Sequence, residues 1–416
     1  MPRLLLLEVA VLAVMQLSER ESVDRLAAAF GIVVVAAWLW SRLATRRLTI
    51  ERRPRSQRAA VGDLFDETIV LRNRSWIPKP WLEVLDYSTL PGHVASRVVR
   101  APGNGEAVWQ ARTRCVRRGR FLLGPARVSA ADPFGLFPRH MLAPSSVHVT
   151  IFPVALDLPG FLEPIGLLTG GARAGWSHIS SPSVVGVRDY VPGDPTSRIS
   201  WTATARYDRL MVKELEQDPI ADAWVVLDLD AATHVAAGRQ VAARNGSAVP
   251  FEAYLDSTTE YAVALAASLA RTMIGRGRSV GLIATGAAPI IFPPERGDAA
   301  FLRMQEELAV VQADGHAPLA EALRAHDVRF TRQAALVIVT ASADPAWAAA
   351  AGRLVANGIG VHAVVVQAET FGAAGSSLHA IGEAIAAGVQ VTPVAAGDAL
   401  AGIFLADEPG WRGRRD

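Results

Sequence analysis

Between Arg188 and Arg206 the chain reads RDYVPGDPTSRISWTATAR. Five charged side chains, a Tyr and a Trp surround a Pro-Gly-Asp-Pro turn. The chemistry on offer is pairing. Arg188, Arg198, Arg206 and Arg209 are interleaved with Asp189, Asp194, Asp208 and Glu214, and a guanidinium is a permanently charged planar fork that fits a carboxylate. Buried pairs of this kind clamp a connector to a domain, and removing one partner costs ~3–5 kcal/mol. Exposed pairs contribute only ~0–1 kcal/mol each. Two roles follow: an interdomain strap, or a docking surface for a protein partner. Arg188, Tyr190, Asp194, Arg198, Trp201, Arg206 and Glu214 carry either role, because Tyr, Trp and Arg are the side chains that dominate interface energies.

Motifs for catalysis are missing. Gly166 and Gly171 have the spacing of a phosphate loop, but Ala172 stands where the Lys is required, so GLLTGGARAG reads as a linker. The sequence has no G-x-S-x-G elbow, and its nine His fall in no metal-ligating spacing. The single cysteine, Cys115, excludes an intrachain disulfide and a cysteine metal cluster, and it sits in the alternating stretch VWQARTRCV as an ordinary strand residue. A non-catalytic protein without a cofactor is expected. A net charge of +2 gives no reason to expect a nucleic-acid partner. The basic residues are 40 Arg against two Lys, Lys79 and Lys213, which with the abundance of Ala points to coding bias.

Several kinds of element must position the polar stretch. From Asp222 onward, strands alternate with helices. AWVVLDLD, SVGLIA, AALVIVTA and GVHAVVV are apolar strands, and APIIFP turns back on SVGLIA through Thr285 and Gly286. STTEYAVALAASLARTMIGRG is a helix with Ser257 at its N-cap, followed by helices at DAAFLRMQEELAVVQ, PLAEALRAHDVRF and PAWAAAAGRLVANG. Apolar strands alternating with helices imply a mainly parallel sheet covered on both faces. A site in such a sheet lies outside the carboxyl ends of the strands, here at residues 228–232, 315–319 and 340–344. Between Thr49 and Pro153 the pattern has period two, punctuated by IPKP, LPGH, APGNG and DPFG, and predicts a small antiparallel β-sandwich or barrel with Arg112 and Arg114 on a solvated face. Within the polar stretch, Ser200 or Thr202 can cap a helix, or the chain can close with a strand at LMVKEL.

Two apolar runs, Leu4–Leu17 and Leu26–Trp40, flank the polar loop SERESVDR and predict a transmembrane helical hairpin. Arg42, Arg46, Arg47, Arg52, Arg53, Arg55 and Arg58 follow the second run, which places both ends in the cytoplasm. The expected organisation is a hairpin over 1–44, a β-sandwich-like domain over 45–155 and a linker and strap over 156–220. An α/β domain over 221–408 and a tail over 409–416 complete it.

RGRFLLGPARVSAADPFGLF (118–137) and GVRDYVPGDPTSRISWTATARYDRLMVKELE (186–216) closely resemble the bacterial membrane proteins that carry domain of unknown function 58. Gly186, Arg188, Tyr190, Gly193, Asp194, Arg198, Trp201, Arg206 and Glu214 fall where that pattern expects them. The resemblance implies a von Willebrand factor A-like α/β domain and work alongside a MoxR-type AAA+ ATPase in assembling or remodelling envelope proteins. It also implies a plasma-membrane location. Metal-binding members of that fold hold Mg²⁺ with Asp-x-Ser-x-Ser, a Thr and a second Asp. Here the pattern supplies Asp228, then Asp230 and Ala232, with Ala317 and Ala341 at the later positions. A scaffold is therefore expected, with no metal bound. The alternative is a Mg²⁺-dependent module recognising an acidic ligand through Asp228 and Asp230.

Overall fold

Glu21–Ala44 forms one helix, α1. Its apolar centre has no Pro, and Leu26, Phe30, Ile32, Val35 and Leu39 are exposed along it. Segment 25–44 is long and apolar enough to cross a membrane. The same properties fit a signal sequence near an N-terminus. The computed structural model describes residues 21–164, 183–191, 199–216, 222–236, 254–331 and 334–404. The first apolar run of the expected hairpin lies outside them. The last turn of α1 is held by its surroundings. The Ser41 hydroxyl donates to the Phe137 carbonyl at 2.5 Å, and the Lys79 ammonium donates to the Leu43 carbonyl. A helix leaves its final carbonyls without intrahelical partners, and Lys79 supplies one of them. Burial lowers the pKa of Lys79.

The chain divides into two units, 1–152 and 153–416. In the first, alternation builds a sandwich. Strands β1 (Leu48–Pro54), β3 (Leu64–Asn73) and β6 (Glu106–Arg114) form one antiparallel sheet. Strands β4 (Lys79–Asp86), β5 (Arg97–Ala101), β8 (Ala126–Ala130) and β9 (Arg139–Ala143) form another, in the order β5-β4-β8-β9. A third sheet joins β2 (Arg58–Ala60), β10 (Val147–Phe152) and β7 (Gly119–Leu123). Along β6, Trp109, Ala111 and Thr113 point inward while Gln110, Arg112 and Arg114 face water, the period-two signature of a half-buried strand. The inner faces meet as one core, with Ile50, Ile69, Leu71 and Trp109 packed with Leu82 and Val128. Cys115 is fully buried, and burial ahead of the nearby Asp63 charge pushes its thiol up to about 11. At neutral pH it stays protonated and unreactive.

Some inward positions carry charges. Arg52 on β1, counted from the sequence among the residues that orient the membrane segment, is instead 7% exposed. Its Nη1 donates to both carboxylate oxygens of Glu67, at 3.1 and 3.2 Å, and its Nη2 pairs with Asp86. His93 Nε2 lies 3.0 Å from Glu67, and its Nδ1 lies 2.9 Å from the Thr113 hydroxyl. Glu67 belongs to the first sheet and Asp86 to the second, so the cluster bolts the two together through ions shielded from water.

The second unit is a six-stranded sheet of order β15-β14-β13-β16-β17-β18. Its strands are β13 (Ala223–Leu227), β14 (Val280–Ala284), β15 (Ile290–Glu295), β16 (Ala335–Thr340), β17 (Gly360–Val366) and β18 (Gln390–Val394). All pairings are parallel except β14 with β15. Val225 and Leu227 face one core, with helices α3 (Thr258–Gly275) and α4 (Asp298–Leu308). Trp224 and Val226 face the other, with α5 (Leu319–His326), α6 (Ala346–Ala356) and α7 (Leu378–Ala386). Ser257 caps α3, accepting from the Glu260 amide at 3.2 Å. Residues 156–161, which the sequence assigns to a linker, pack on α3. The hydroxyls of Ser268 and Thr272, one helical turn apart, accept the amides of Leu156 and Leu158 at 3.0 and 2.9 Å. Leu158 and Phe161 enter the core.

Replacing Arg52 by Ala leaves two carboxylates buried without their cation, and we expect this to destabilise the β unit by ~3–5 kcal/mol in denaturant melts of the full chain. A loss below ~1 kcal/mol would show that the cluster behaves like an exposed pair.

Candidate functional site

The polar stretch folds into a small module of its own. Strand β11 (Ser183–Asp189) pairs antiparallel with β12 (Met211–Glu216), with Gly186 opposite Glu214 and Arg188 opposite Val212. Between them, Trp201–Tyr207 forms helix α2, with Ser200 as N-cap and Asp208 as a left-handed C-cap at φ 53°. Both local readings of the sequence are therefore realised, the capped helix and the closing strand. The Ser200 amide donates to the Met211 carbonyl at 2.8 Å, and the Thr204 hydroxyl accepts the Met211 amide at 3.1 Å, which seats α2 on β12. Ile199, Met211 and Val212 are buried.

Among the described residues expected to do the binding, Arg188, Trp201 and Arg206 face outward. Trp201 is 68% exposed, Tyr207 is 54% exposed, and Arg206 and Arg188 are exposed. Tyr190 is half-buried, and its amide donates to the Leu210 carbonyl at 3.0 Å. Arg188 Nη1 donates to the Asp189 carbonyl at 3.1 Å, and Arg209 pairs with Asp189 at 3.2 Å on the surface. A surface ion pair contributes ~0–1 kcal/mol, so these charges do not supply a buried clamp within the described residues. Asp194 and Arg198 lie outside those residues, as does the Gly166–Gly175 stretch.

The second candidate is the carboxyl end of the α/β sheet, where three loops meet. Gly315 fixes their approach. Its amide donates to the Leu229 carbonyl and its carbonyl accepts the Ala231 amide, both at 2.9 Å. A Cβ there would fall 2.3 Å from the Thr285 carbonyl oxygen, so only glycine fits. Asp228 closes the other side. It is fully buried, its Oδ2 accepts the Thr340 hydroxyl at 2.6 Å, and its Oδ1 accepts the Asp230 amide at 3.1 Å. Thr340 accepts the Ser342 amide at 2.9 Å, which carries the chain of bonds onward. His234 Nε2 donates to the Asp228 carbonyl at 2.8 Å. Burial pushes the Asp228 carboxyl up, against the lowering effect of the Thr340 hydrogen bond.

Mg²⁺ requires near-ideal octahedral oxygen ligation, and this donor set does not fit it. Both Asp228 oxygens are taken by protein donors, Asp230 Oδ1 accepts the Ala232 amide at 3.1 Å, and Ala341 presents a buried methyl group. Among the described residues no three His, Cys, Asp or Glu side chains gather to hold a metal. The arrangement fastens β13 to β16 at the rim of the sheet. Thr340 falls in the 340–344 loop expected at the sheet rim, but nothing in its type or spacing marks it as the partner of Asp228.

Counted along the unit, the strand order is 3-2-1-4-5-6 with an antiparallel edge, which defines a doubly wound α/β sheet. Residues 186–370 match the family described as protein of unknown function DUF58. The uncharacterized protein YeaD of Bacillus subtilis (strain 168) is 23% identical over 323 residues, covering 75% of each chain. Among solved structures, the SpRpn10 VWA domain is 12% identical, with a TM-score of 0.30, over 47% of this chain and 100% of its own. The CARDB domain of a Pyrococcus furiosus protein is 17% identical, with a TM-score of 0.20, over 25% of this chain and 91% of its own. The fold assignment rests on the strand order and register.

Asp228 holds its proton more tightly when folded than when unfolded. The folded chain therefore binds more protons between the ordinary carboxylate pKa and the raised one, and stability falls as pH rises through that window. Asp228→Asn keeps the shape and removes the titration. Its melting temperature should decline less than wild type with rising pH, and a parallel decline would contradict the raised pKa.

Proposed function

We propose that this protein is a non-catalytic, membrane-anchored scaffold that binds other proteins through the module around α2. The observation that carries this reading is the outward face of that module, where Trp201, Tyr207 and Arg206 are exposed on a helix with no buried residue. A large aromatic left in water loses apolar contact that a partner would restore, and Trp, Tyr and Arg are the residues most enriched in binding hot spots. The hydrogen bonds that Asp228 and Asp230 accept at the sheet rim fit the same reading, since they occupy oxygens that a metal would need. The apolar helix α1 supports anchoring, and the Arg residues after it support a cytoplasmic placement of both units. The partner class follows from the family resemblance: a MoxR-type AAA+ ATPase, with envelope proteins as the assemblies it remodels.

The test is binding between the full chain in detergent and the MoxR-type ATPase encoded by the same genome. Truncating a hot-spot Trp costs ~2 kcal/mol or more, so Trp201→Ala should weaken binding by about thirtyfold while the melting temperature stays unchanged. A large fall in melting temperature would mark Trp201 as a strap residue instead. Unchanged affinity together with unchanged melting temperature would remove this face from the function.

A further inference from the structure

We infer that the end of the β sandwich nearest α1 is itself a membrane-surface face, with the β3–β4 and β8–β9 loops lying in the headgroup layer of an anionic bilayer. This rests on reading α1 as a membrane span.

Register places the loops. Leu48, just past α1, pairs with Asn73 at the end of β3, Lys79 at the start of β4 pairs with Ala101, and Ala130 pairs with Arg139. The connections 74–78, 102–105 and 131–138 therefore share the end of the sandwich from which α1 emerges. Direct bonds fix two of them to the helix and the residues just beyond it. The Arg74 amide donates to the Arg47 carbonyl at 2.9 Å, and Ser41 donates to the Phe137 carbonyl at 2.5 Å. Ser41 is one residue past Trp40, ~1.5 Å along the helix axis, so the β8–β9 loop sits level with the end of the apolar segment. Arg42 stacks over the Trp38 ring at 4.1 Å at the same depth.

The loops are shaped to project apolar side chains there. Asp132 is buried, and its two carboxylate oxygens accept the amides of Phe134 at 3.0 Å and Phe137 at 2.7 Å. Gly135 turns the chain at φ +70°. Phe134 is left 65% exposed and Leu136 38% exposed. In the β3–β4 loop, Asn73 accepts the Ser75 amide at 3.1 Å and donates to the Ile77 carbonyl at 2.9 Å, and Trp76 between them is 77% exposed. Aromatic rings are favoured at the level of lipid headgroups. The charge at this end has the matching sign. Arg46, Arg47 and Arg74 are exposed, whereas Asp132 is turned inward and Glu106 is paired with Arg72 at 3.2 Å. Basic groups beside a span attract anionic lipids.

The experiment uses the full chain reconstituted in vesicles of phosphatidylcholine and phosphatidylglycerol carrying a nitroxide near the headgroup. An environment-sensitive thiol dye is attached in turn to F134C, W76C and Q57C. Gln57 is exposed beyond the far end of β1, and the parent chain, whose one thiol is buried, serves as the labelling blank. We expect several-fold loss of emission at F134C and W76C, none at Q57C, and a smaller loss in vesicles lacking phosphatidylglycerol. Emission at all three sites untouched by the nitroxide, in a chain that survives carbonate washing, would overturn the inference and leave the anchor standing. Equal loss with and without phosphatidylglycerol would overturn the preference for anionic lipid. Release of the chain by carbonate would overturn the anchor and the inference together.

Discussion

A single hydrogen bond inside the α/β unit, from the Thr340 hydroxyl to the Asp228 carboxylate at 2.6 Å, constrains what this protein can do. It joins the ends of the two central strands of the sheet, in a place that water does not reach. A carboxyl group buried there has to be satisfied by the protein itself, and Thr340 and the Asp230 amide do so. Carboxylates satisfied in this way are poor metal ligands. The rim of the sheet, where proteins of this architecture place their ligands, is therefore committed to cohesion. The α2 module, in contrast, offers exposed aromatic and guanidinium groups.

Much of the fold was legible because burial writes a period into the sequence. The apolar strands of the α/β unit, the capping Ser257, the antiparallel return at Ile290 and the alternation along β6 could all be read from spacing. Helix α7 was not seen, although two parallel strands cannot follow one another without a crossover. Its segment, LHAIGEAIA, leaves Leu378 and Ile385 exposed, so the apolar positions do not fall on one face and the pattern is blurred. The ionic cluster around Arg52 was hidden for a different reason. Charge in a strand reads as solvent-facing, and nothing local reveals that Glu67, Asp86 and His93 wait across the core. Those contacts join residues up to 34 positions apart, as between Arg52 and Asp86, and pairing at that range has no signature in a single sequence.

The candidate site was half legible. Residue types marked the stretch 188–214 as unusual, and the local capping signals placed α2 and β12 correctly. Exposure was the missing quantity: the same Arg and Asp residues describe a buried clamp or a solvated surface, and only the folded chain distinguishes them. At the sheet rim, the alanines at 232, 317 and 341 were readable as lost ligands. The hydroxyl–carboxyl bond between Thr340 and Asp228 was not, because it depends on which of their atoms face each other.

Helix α2 has only seven residues, none of them buried. A helix this short is marginal in water without tertiary support, so its order is borrowed from Ser200 at one end and from β12 beneath it. A molecule gripping Trp201 would reinforce those same contacts. Recognition and local ordering would then proceed as one cooperative event, and part of the free energy of association would go into stiffening the turn, which tempers affinity and speeds release.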